Sequence, residues 1–187
     1  MSRIGVLGGS FDPVHHGHLI VARALLERLG LDEMRLLPAG VQPFKRGQHH
    51  ASAADRAAMV ELAITGESGL ACDRREVSRP GLSYTVDTLR SLKAEAPGTT
   101  WYLCVGADAA QELPAWHEAA ALPELATVVV FGRPTAAPAN GPWQQVEVPQ
   151  VDISSTDIRA RVTAGRSIRY LVPDAVAGFI ATHRLYQ

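Results

Sequence analysis

Lysine, cysteine and long hydrophobic runs are scarce in this 187-residue sequence. Of the 18 basic residues only Lys45 and Lys93 are lysines, and the formal net charge is -1. This balance offers no basic excess for nucleic acid or an anionic membrane. No apolar run approaches the roughly eighteen residues of a membrane span, and the first residues lack a signal-peptide pattern. We therefore expect a cytoplasmic protein that binds neither nucleic acid nor a membrane. The sequence allows a homo-oligomer without specifying one.

The two cysteines, Cys72 and Cys104, both lie in apolar stretches that resemble strands. In a reducing compartment such residues are usually small buried hydrophobes. We predict no disulfide, and no metal site from them or from His49, His50 and His117, because the spacing of Cys and His matches no metal-binding pattern.

Apolar runs alternate with helical patterns along the chain. RIGVLG at 3–8 is a short continuous apolar run, and the following helical stripe ends at Gly30. Further strand-like runs are MRLLPA, LACDRREV, TWYLCVG, ATVVVFG and QVEVP. The alternation predicts an α/β, Rossmann-like fold with a mainly parallel sheet and helices on both faces. We expect a single domain over 1–187, with the last helices, about 154–187, forming a C-terminal helical part.

Helix starts are marked by two Ser-x-x-Asp capping boxes and by a proline. Ser52 with Asp55 and Ser154 with Asp157 form the boxes, and Pro173 is predicted in the first turn of the final helix. Several polar or glycine-rich segments follow strands: the turn at Gly8, the loop at 42–45, and the strings SYT, VGAD and ISST. Because ligands bind outside the carboxyl ends of parallel strands, these segments could face one crevice.

The turn after the first strand has two glycines but no lysine. A phosphate-binding P-loop needs Gly-Lys-Ser/Thr, and here Gly17 precedes His18; the dinucleotide fingerprint GxGxxG is also missing. Gly8 and Gly9 still allow close backbone approach, and the helix that follows directs its free amides at an anion. His15 and His18 flank Gly17, where two imidazoles can donate hydrogen bonds to phosphate oxygens. At a helix N-terminus the charged form of histidine is disfavoured.

The string ISSTDIR has a second feature that suits an anion. Ser155 and Thr156 offer hydroxyls beside free N-terminal amides, and Arg159 lies one turn further along the same face. On these residues alone, a plain capped helix with a solvated arginine is the alternative to an anion site.

These motifs together resemble the nucleotidyltransferase superfamily that carries His-x-Gly-His near the N-terminus and Ser-Ser-Thr-x-x-Arg near the C-terminus. Within it, GGSFDPVHHGHL, SRPGLSYTVDTL, GAD followed by Trp116-His117, and ISSTDIRARVTAGRSIRYLVPDAV are similar to bacterial nicotinate-mononucleotide adenylyltransferase. The matches run from Ile4 to Val176, and their order and spacing are highly specific. The resemblance implies transfer of the adenylyl group of ATP to nicotinate mononucleotide, giving deamido-NAD and pyrophosphate, by direct attack on the α-phosphate with Mg²⁺ assisting.

The resemblance also implies roles for individual residues. The catalytic set is His15, His18, Lys45 and Arg159. Contacts with ATP are expected from Gly8, Gly9, Ser10, Phe11, His15, His18, Asp108, Ser155, Thr156 and Arg159. Nicotinate mononucleotide is expected to contact Lys45, Tyr84, Thr85 and Trp116, with the tryptophan stacking on the ring. His16, His49, His50 and His117 receive no role beyond surface or packing.

The sequence departs from the family pattern at three positions. Ser10 stands where threonine is frequent, Phe44 precedes Lys45 where histidine is frequent, and Ala119 replaces a second tryptophan. Three alternatives stay open: the amide mononucleotide or phosphopantetheine as acceptor, a nucleotide sensor without turnover, and a zinc protein using His15, His16 and His18.

Overall fold

A six-stranded, all-parallel sheet forms the centre of the molecule, with the strand order β3-β2-β1-β4-β5-β6. The computed structural model describes residues 1–41, 49–132 and 143–187. The strands are β1 Arg3–Gly9, β2 Glu33–Pro38, β3 Leu70–Cys72, β4 Thr100–Gly106, β5 Thr127–Gly132 and β6 Gln144–Glu147. The predicted α/β, Rossmann-like architecture with a parallel sheet is confirmed.

Helices cover both faces of this sheet. They are α1 His16–Arg28, α2 Ala53–Ala63, α3 Arg75–Ser78, α4 Thr85–Glu95, α5 Ala107–Ala110, α6 Leu122–Leu125, α7 Ser155–Thr163 and α8 Asp174–Thr182. Side chains of α1, α2, α7 and α8 pack into one core cluster, and those of α4, α5 and α6 pack into the other.

Side chains of the buried strands point alternately to the two faces of the sheet, and so the core consists of two clusters, one on each face. In β1, Leu7 joins the first cluster and Val6 joins the second; in β4, Cys104 and Leu103 divide in the same way. Because successive side chains of a strand point to opposite faces, a strand covered on both sides reads as a continuous apolar run. This explains why RIGVLG shows no alternation of polar and apolar residues.

The predicted helix ends agree with the structure, with small shifts. Ser52 and Ser154 are N-caps whose side chains accept from the main-chain N–H of Asp55 and Asp157. Gly30 follows the α1 C-cap with φ of 57°, a left-handed conformation that favours glycine. Pro173 is the N-cap of α8 and lies one residue before the first turn in which it was predicted.

The predicted strand LACDRREV was wrong in its second half. β3 ends at Cys72, and Arg75–Ser78 is a short helix. The Asp73 carboxylate accepts hydrogen bonds from both the main-chain N–H and the guanidinium of Arg75, at 3.0 and 2.9 Å. A short acidic side chain that binds the backbone two residues ahead favours a turn over a strand.

The sheet order reverses between β1 and β4. From β1 the chain proceeds through β2 to β3 on one side, and from β4 through β5 to β6 on the other. The crevice at the carboxyl ends of β1 and β4 is the topological switch point, where ligands bind in open α/β sheets. In the part of the chain that the structure describes, no helix is long and apolar enough to cross a membrane.

Candidate active site

A cavity of about 540 Å³ opens at the switch point of the sheet. Gly8 and Gly9 from the end of β1, Gly106 from the end of β4, and Ser10 line it. A side chain at Gly8 would meet no atom within 4 Å, so the backbone there is open to a ligand. Of the segments expected to face one crevice, the glycine turn, the SYT string and the start of VGAD line this cavity, whereas the ISST string does not, and the loop at 42–45 lies outside the described residues.

Three residues predicted for the nicotinate mononucleotide line the same cavity: Tyr84, Thr85 and Trp116. Tyr84 is the N-cap of α4, and its side chain makes no capping hydrogen bond, so the first main-chain N–H groups of this helix are open to an acceptor from a ligand. Trp116 is half-buried. His117, predicted as surface or packing, also lines the cavity, with its ring centroid 4.3 Å from that of Tyr84.

Buried polar side chains form part of the cavity wall beside Tyr84. The Glu76 carboxylate accepts from the Thr88 hydroxyl at 2.8 Å, and burial raises the pKa of Glu76. Ser83 is buried, and its Oγ has no hydrogen-bond partner among the described residues. Neither Glu76 nor Ser83 was singled out from the sequence, although both lie close to the SYT motif. Unpaired buried hydroxyls are uncommon in folded proteins, so this wall is suited to a polar ligand group.

His15 and His18 form a stacked pair at the start of α1. Their ring centroids are 3.7 Å apart, and the Phe11 ring makes a T-shaped contact with His18, with the two centroids 4.9 Å apart. Burial, with a smaller contribution from neighbouring histidines, lowers the pKa of His15 to about 4 and that of His18 to about 3. Both imidazoles are therefore neutral at pH 7, in agreement with the disfavoured charged form expected at a helix N-terminus.

The proton on His18 is fixed by its hydrogen bond. The main-chain N–H of His15 donates to Nδ1 of His18 at 3.2 Å, so Nδ1 is the acceptor nitrogen of the neutral ring. The ring proton then lies on Nε2, which is left to donate. His18 is thus a neutral donor in a defined tautomer.

The start of α7 packs against the turn that leads to His15. Ser155 Oγ donates to the Pro13 carbonyl at 2.9 Å, and the Arg159 guanidinium donates to the Asp12 carbonyl at 2.8 Å. Its second amino group approaches the Thr156 hydroxyl at 3.4 Å. The two predicted anion sites, at the start of α1 and at the start of α7, are therefore neighbours across this turn. One amino group of the Arg159 guanidinium already donates to the backbone.

The other predicted residues occupy different places. Phe11 is only 2% exposed with a φ of 48°, so its side chain supports the glycine turn from the core while its backbone takes a left-handed conformation. Asp108 is exposed in α5, two residues after the cavity-lining Gly106, and is not itself among the described lining residues. Lys45 and Phe44 lie outside the described residues. His16 is half-buried, and its main-chain N–H donates to the Leu171 carbonyl.

Besides Glu76, two more buried charged residues escaped the sequence analysis. Arg56 is 1% exposed, and its guanidinium donates to the main-chain carbonyls of Ser10 and Ala39, both at 2.6 Å. Asp12 is 3% exposed, and its carboxylate accepts three hydrogen bonds. The signal for Arg56 was its position on the buried stripe of α2, where the spacing calls for an apolar residue.

Neither cysteine is reactive in this fold. Cys104 is buried, Cys72 is half-buried, and both are free thiols. Burial raises both thiol pKa values to about 12, so neither forms a thiolate at pH 7. Among residues 1–41, 49–132 and 143–187, no group of three or more His, Cys, Asp or Glu side chains is arranged to hold a metal ion.

Comparisons with known proteins agree with this geometry. A family model described as cytidylyltransferase-like matches residues 6–161. The chain is 45% identical to a protein of Synechococcus sp. (strain JA-3-3Ab) over 98% of this chain and 94% of that one. It is 44% identical to a protein of Gemmatimonas aurantiaca over 99% and 92%. Both are named "Probable nicotinate-nucleotide adenylyltransferase".

A solved structure has the same fold at low sequence identity. Nicotinic acid mononucleotide adenylyltransferase of Plasmodium falciparum, complexed with NaAD, superposes with a TM-score of 0.81 at 20% identity, covering 100% of this chain and 98% of that chain. The family model covers most of the chain, and the two bacterial relatives match it nearly end to end. The chain belongs to the cytidylyltransferase-like family and, within it, to the nicotinate-nucleotide adenylyltransferases.

Proposed function

We propose that this chain transfers the adenylyl group of ATP to nicotinate mononucleotide, giving deamido-NAD and pyrophosphate, a step in the biosynthesis of NAD. One observation carries the proposal. The cavity at the switch point joins the Gly8–Gly9 turn, which suits a phosphate, to Tyr84, Thr85 and Trp116, which suit a pyridine ring and its carboxylate. The names of the bacterial relatives support the same reaction.

The reaction needs positioning more than a protein nucleophile. An oxygen of the mononucleotide phosphate attacks the α-phosphorus of ATP, and the bond from that phosphorus to the oxygen bridging to the β-phosphate breaks, releasing pyrophosphate. Charge increases on the oxygens around the α-phosphorus, and preorganised donors aimed there stabilise the transition state. His18 Nε2 is such a donor, because its proton is held on that nitrogen by the bond from His15.

The predicted contacts divide along the length of ATP. His15 and His18 hold the α-phosphate region, while Thr156, Arg159 and the first amides of α7 hold the β and γ phosphates. Asp108 accepts from ribose hydroxyls, as an exposed carboxylate beside the cavity can. Lys45 remains the predicted contact for the phosphate of the mononucleotide or the α-phosphate.

Magnesium fits this site as a companion of ATP. Mg²⁺ is commonly bound by one or two carboxylates together with substrate phosphates. The described residues contain no group of three or more His, Cys, Asp or Glu side chains that could hold the ion without the substrate. The carboxylate of Asp12 is already engaged by three donors, so the phosphates supply the main ligands. When bound, Mg²⁺ neutralises charge on the leaving pyrophosphate. The cytoplasmic location and a homo-oligomer stay predictions from the sequence.

The acid mononucleotide is the preferred acceptor because the ring carboxylate is an anion. The open amides at the start of α4 and the Thr85 hydroxyl are donors, and the positive end of a helix dipole favours a carboxylate over a neutral amide. Trp116 supplies the stacking face.

Purified protein assayed with ATP and Mg²⁺ against the acid and amide mononucleotides tests the proposal. We expect kcat/KM at least about tenfold higher for the acid, which corresponds to about 1.4 kcal/mol from the helix dipole and the hydrogen bonds together. Trp116→Ala should raise KM for nicotinate mononucleotide with little change in KM for ATP, while Trp143→Ala, a half-buried tryptophan that does not line the cavity, should change neither. Equal kcat/KM for acid and amide would contradict the assignment of the acceptor.

A nucleotide sensor without turnover is the competing class of function. The neutral, oriented His18 argues against it, since binding an anion alone gains more from a charged side chain than from a neutral imidazole. Formation of deamido-NAD by the wild-type chain excludes the sensor.

A further inference from the structure

The carboxylate of Asp12 lies at the junction of three segments distant in sequence. Its Oδ1 accepts from the Tyr186 hydroxyl at 2.7 Å and from the main-chain N–H of Ala51 at 3.1 Å. Its Oδ2 accepts from the main-chain N–H of His50 at 2.7 Å. Asp12 is 3% exposed, so these bonds are shielded from water and are strong for their type.

Tyr186 is itself held in place from α7. Its main-chain carbonyl accepts from the Thr163 hydroxyl at 2.8 Å, and its ring packs against the first core cluster. Burial and the contact with Asp12 raise the pKa of the Tyr186 hydroxyl, so it remains a donor at neutral pH.

The same turn is held by the other end of α7. Ser155 donates to the carbonyl of Pro13 and Arg159 to the carbonyl of Asp12. Between Asp12 and His15 the chain passes through Val14, which is fully buried. A displacement at Asp12 is therefore transmitted to His15 and to the His18 ring that His15 orients, because side chains in a close-packed core cannot move independently.

We infer that Tyr186 is a positioning residue for the proposed adenylyl transfer: its hydroxyl, acting through the buried carboxylate of Asp12, fixes the turn that sets the His15–His18 pair. The inference rests on the proposed function. Tyr186 is not among the described residues that line the cavity, and it acts through Asp12. Small displacements of positioned groups cost large factors in rate, because the reacting atoms must be aligned to within a fraction of an ångström.

Tyr186→Phe tests this inference, because it keeps the packed ring and removes only the hydroxyl. Asp12 retains its two main-chain donors, so the carboxylate is not left unpaired. We expect kcat to fall about tenfold while KM for ATP and for nicotinate mononucleotide stays within about twofold. Tyr102→Phe is the matched control: Tyr102 is also buried, in the first half of β4 away from the cavity, and its loss of a hydroxyl should leave kcat unchanged.

A second variant separates positioning from stability. In the Asp12→Asn background the acceptor charge that strengthens the bond is absent, so adding Tyr186→Phe should reduce kcat by a smaller factor than it does in the wild type. Thermal melts of every variant establish that each is folded at the assay temperature.

The outcomes are distinct. Unchanged kcat in Tyr186→Phe, a rise in KM alone, an equal fold-loss in both backgrounds, or a loss explained by unfolding at the assay temperature would each overturn the inference. A wild-type chain that forms no deamido-NAD contradicts the proposed function instead. The acceptor that the wild type does use, found with the amide mononucleotide and phosphopantetheine, then serves for the same comparison of variants.

Discussion

Gly40 passes so close to neighbouring backbone that even a methyl group is excluded. A Cβ built there would lie 2.7 Å from Ser83 Oγ and 3.0 Å from the carbonyl carbon of Glu76, and closer still to the Glu76 carbonyl oxygen. Ordinary contacts are about 3.5–4.0 Å between carbon atoms, so backbone on one side of this contact must move. Gly40→Ala therefore forces a shift in the wall of the cavity, and overpacking of this kind costs about 1–3 kcal/mol.

Gly98→Ala is the matched control for this substitution. A Cβ at Gly98 meets no atom within 4 Å, and its φ lies outside the left-handed region. Both alanines reduce the entropy of the unfolded chain by a similar amount, so the difference between the two variants isolates the steric cost. For a chain of this size 1 kcal/mol corresponds to about 2–4 °C, and we expect Gly40→Ala to melt about 2–12 °C below Gly98→Ala.

Circular dichroism melts measure this difference, and steady-state kinetics add a second readout. Since Ser83 and Glu76 line the cavity, Gly40→Ala should also raise KM for nicotinate mononucleotide, whereas Gly98→Ala should not. A Gly40→Ala protein that melts at or above Gly98→Ala would refute the close approach from which the prediction is made.

His18→Ala removes the neutral donor, and we expect kcat to fall about 10²–10³-fold with little change in ATP affinity measured by calorimetry. His16→Ala serves as the control, and equal kcat in the two variants would contradict the role of His18. The pKa values of His15 and His18 are lowered in the folded protein, so below pH 6.5 the unfolded chain binds more protons than the folded chain does. The free energy of unfolding should therefore decrease by up to about 1.4 kcal/mol per histidine for each pH unit below 6.5, down to about pH 4. Urea melts at pH 7.0 and 5.5 measure this, and equal stability at both values would show that the pair is not buried neutral. Arg56→Met removes the guanidinium that donates to the carbonyls of Ser10 and Ala39, and it should cost about 2–4 kcal/mol in the same melts, against less than about 1 kcal/mol for Arg74→Met on the surface; similar losses in the two variants would argue against the Arg56 hydrogen bonds.

Periodicity and capping were enough to predict the parallel sheet and its main helices. The apolar runs of β1 and β4 carry their own signature because both faces of those strands are buried, and Ser52 and Ser154 cap helices through local hydrogen bonds. The short helix after β3 was missed, because it depends on a side chain of Asp73 that turns back onto the main chain.

The residues predicted to contact substrate were found through motifs, and the residues that support them were not. Gly8 and Tyr84 line one cavity, as their places after strands predict, and Trp116, singled out by motif, lines it too. Asp12 and Arg56 hold the same region through partners 38 or more and 17 or more residues away. A sequence shows a charged residue in a motif or on a helix, but not which distant carbonyl or N–H it will meet, so such contacts emerge only with the tertiary structure.

The neutral histidine pair also bears on how the products depart. A charged lysine or arginine attracts a phosphate chain equally well before and after the bond to the α-phosphorus breaks, and it therefore also retains the pyrophosphate. A neutral imidazole binds phosphate through a directed hydrogen bond, and this bond is strongest while charge accumulates on the oxygen that the imidazole faces. As long as both rings are neutral, the predicted contribution of His15 and His18 should vary little with ionic strength and should slow the release of pyrophosphate less than a charged side chain would.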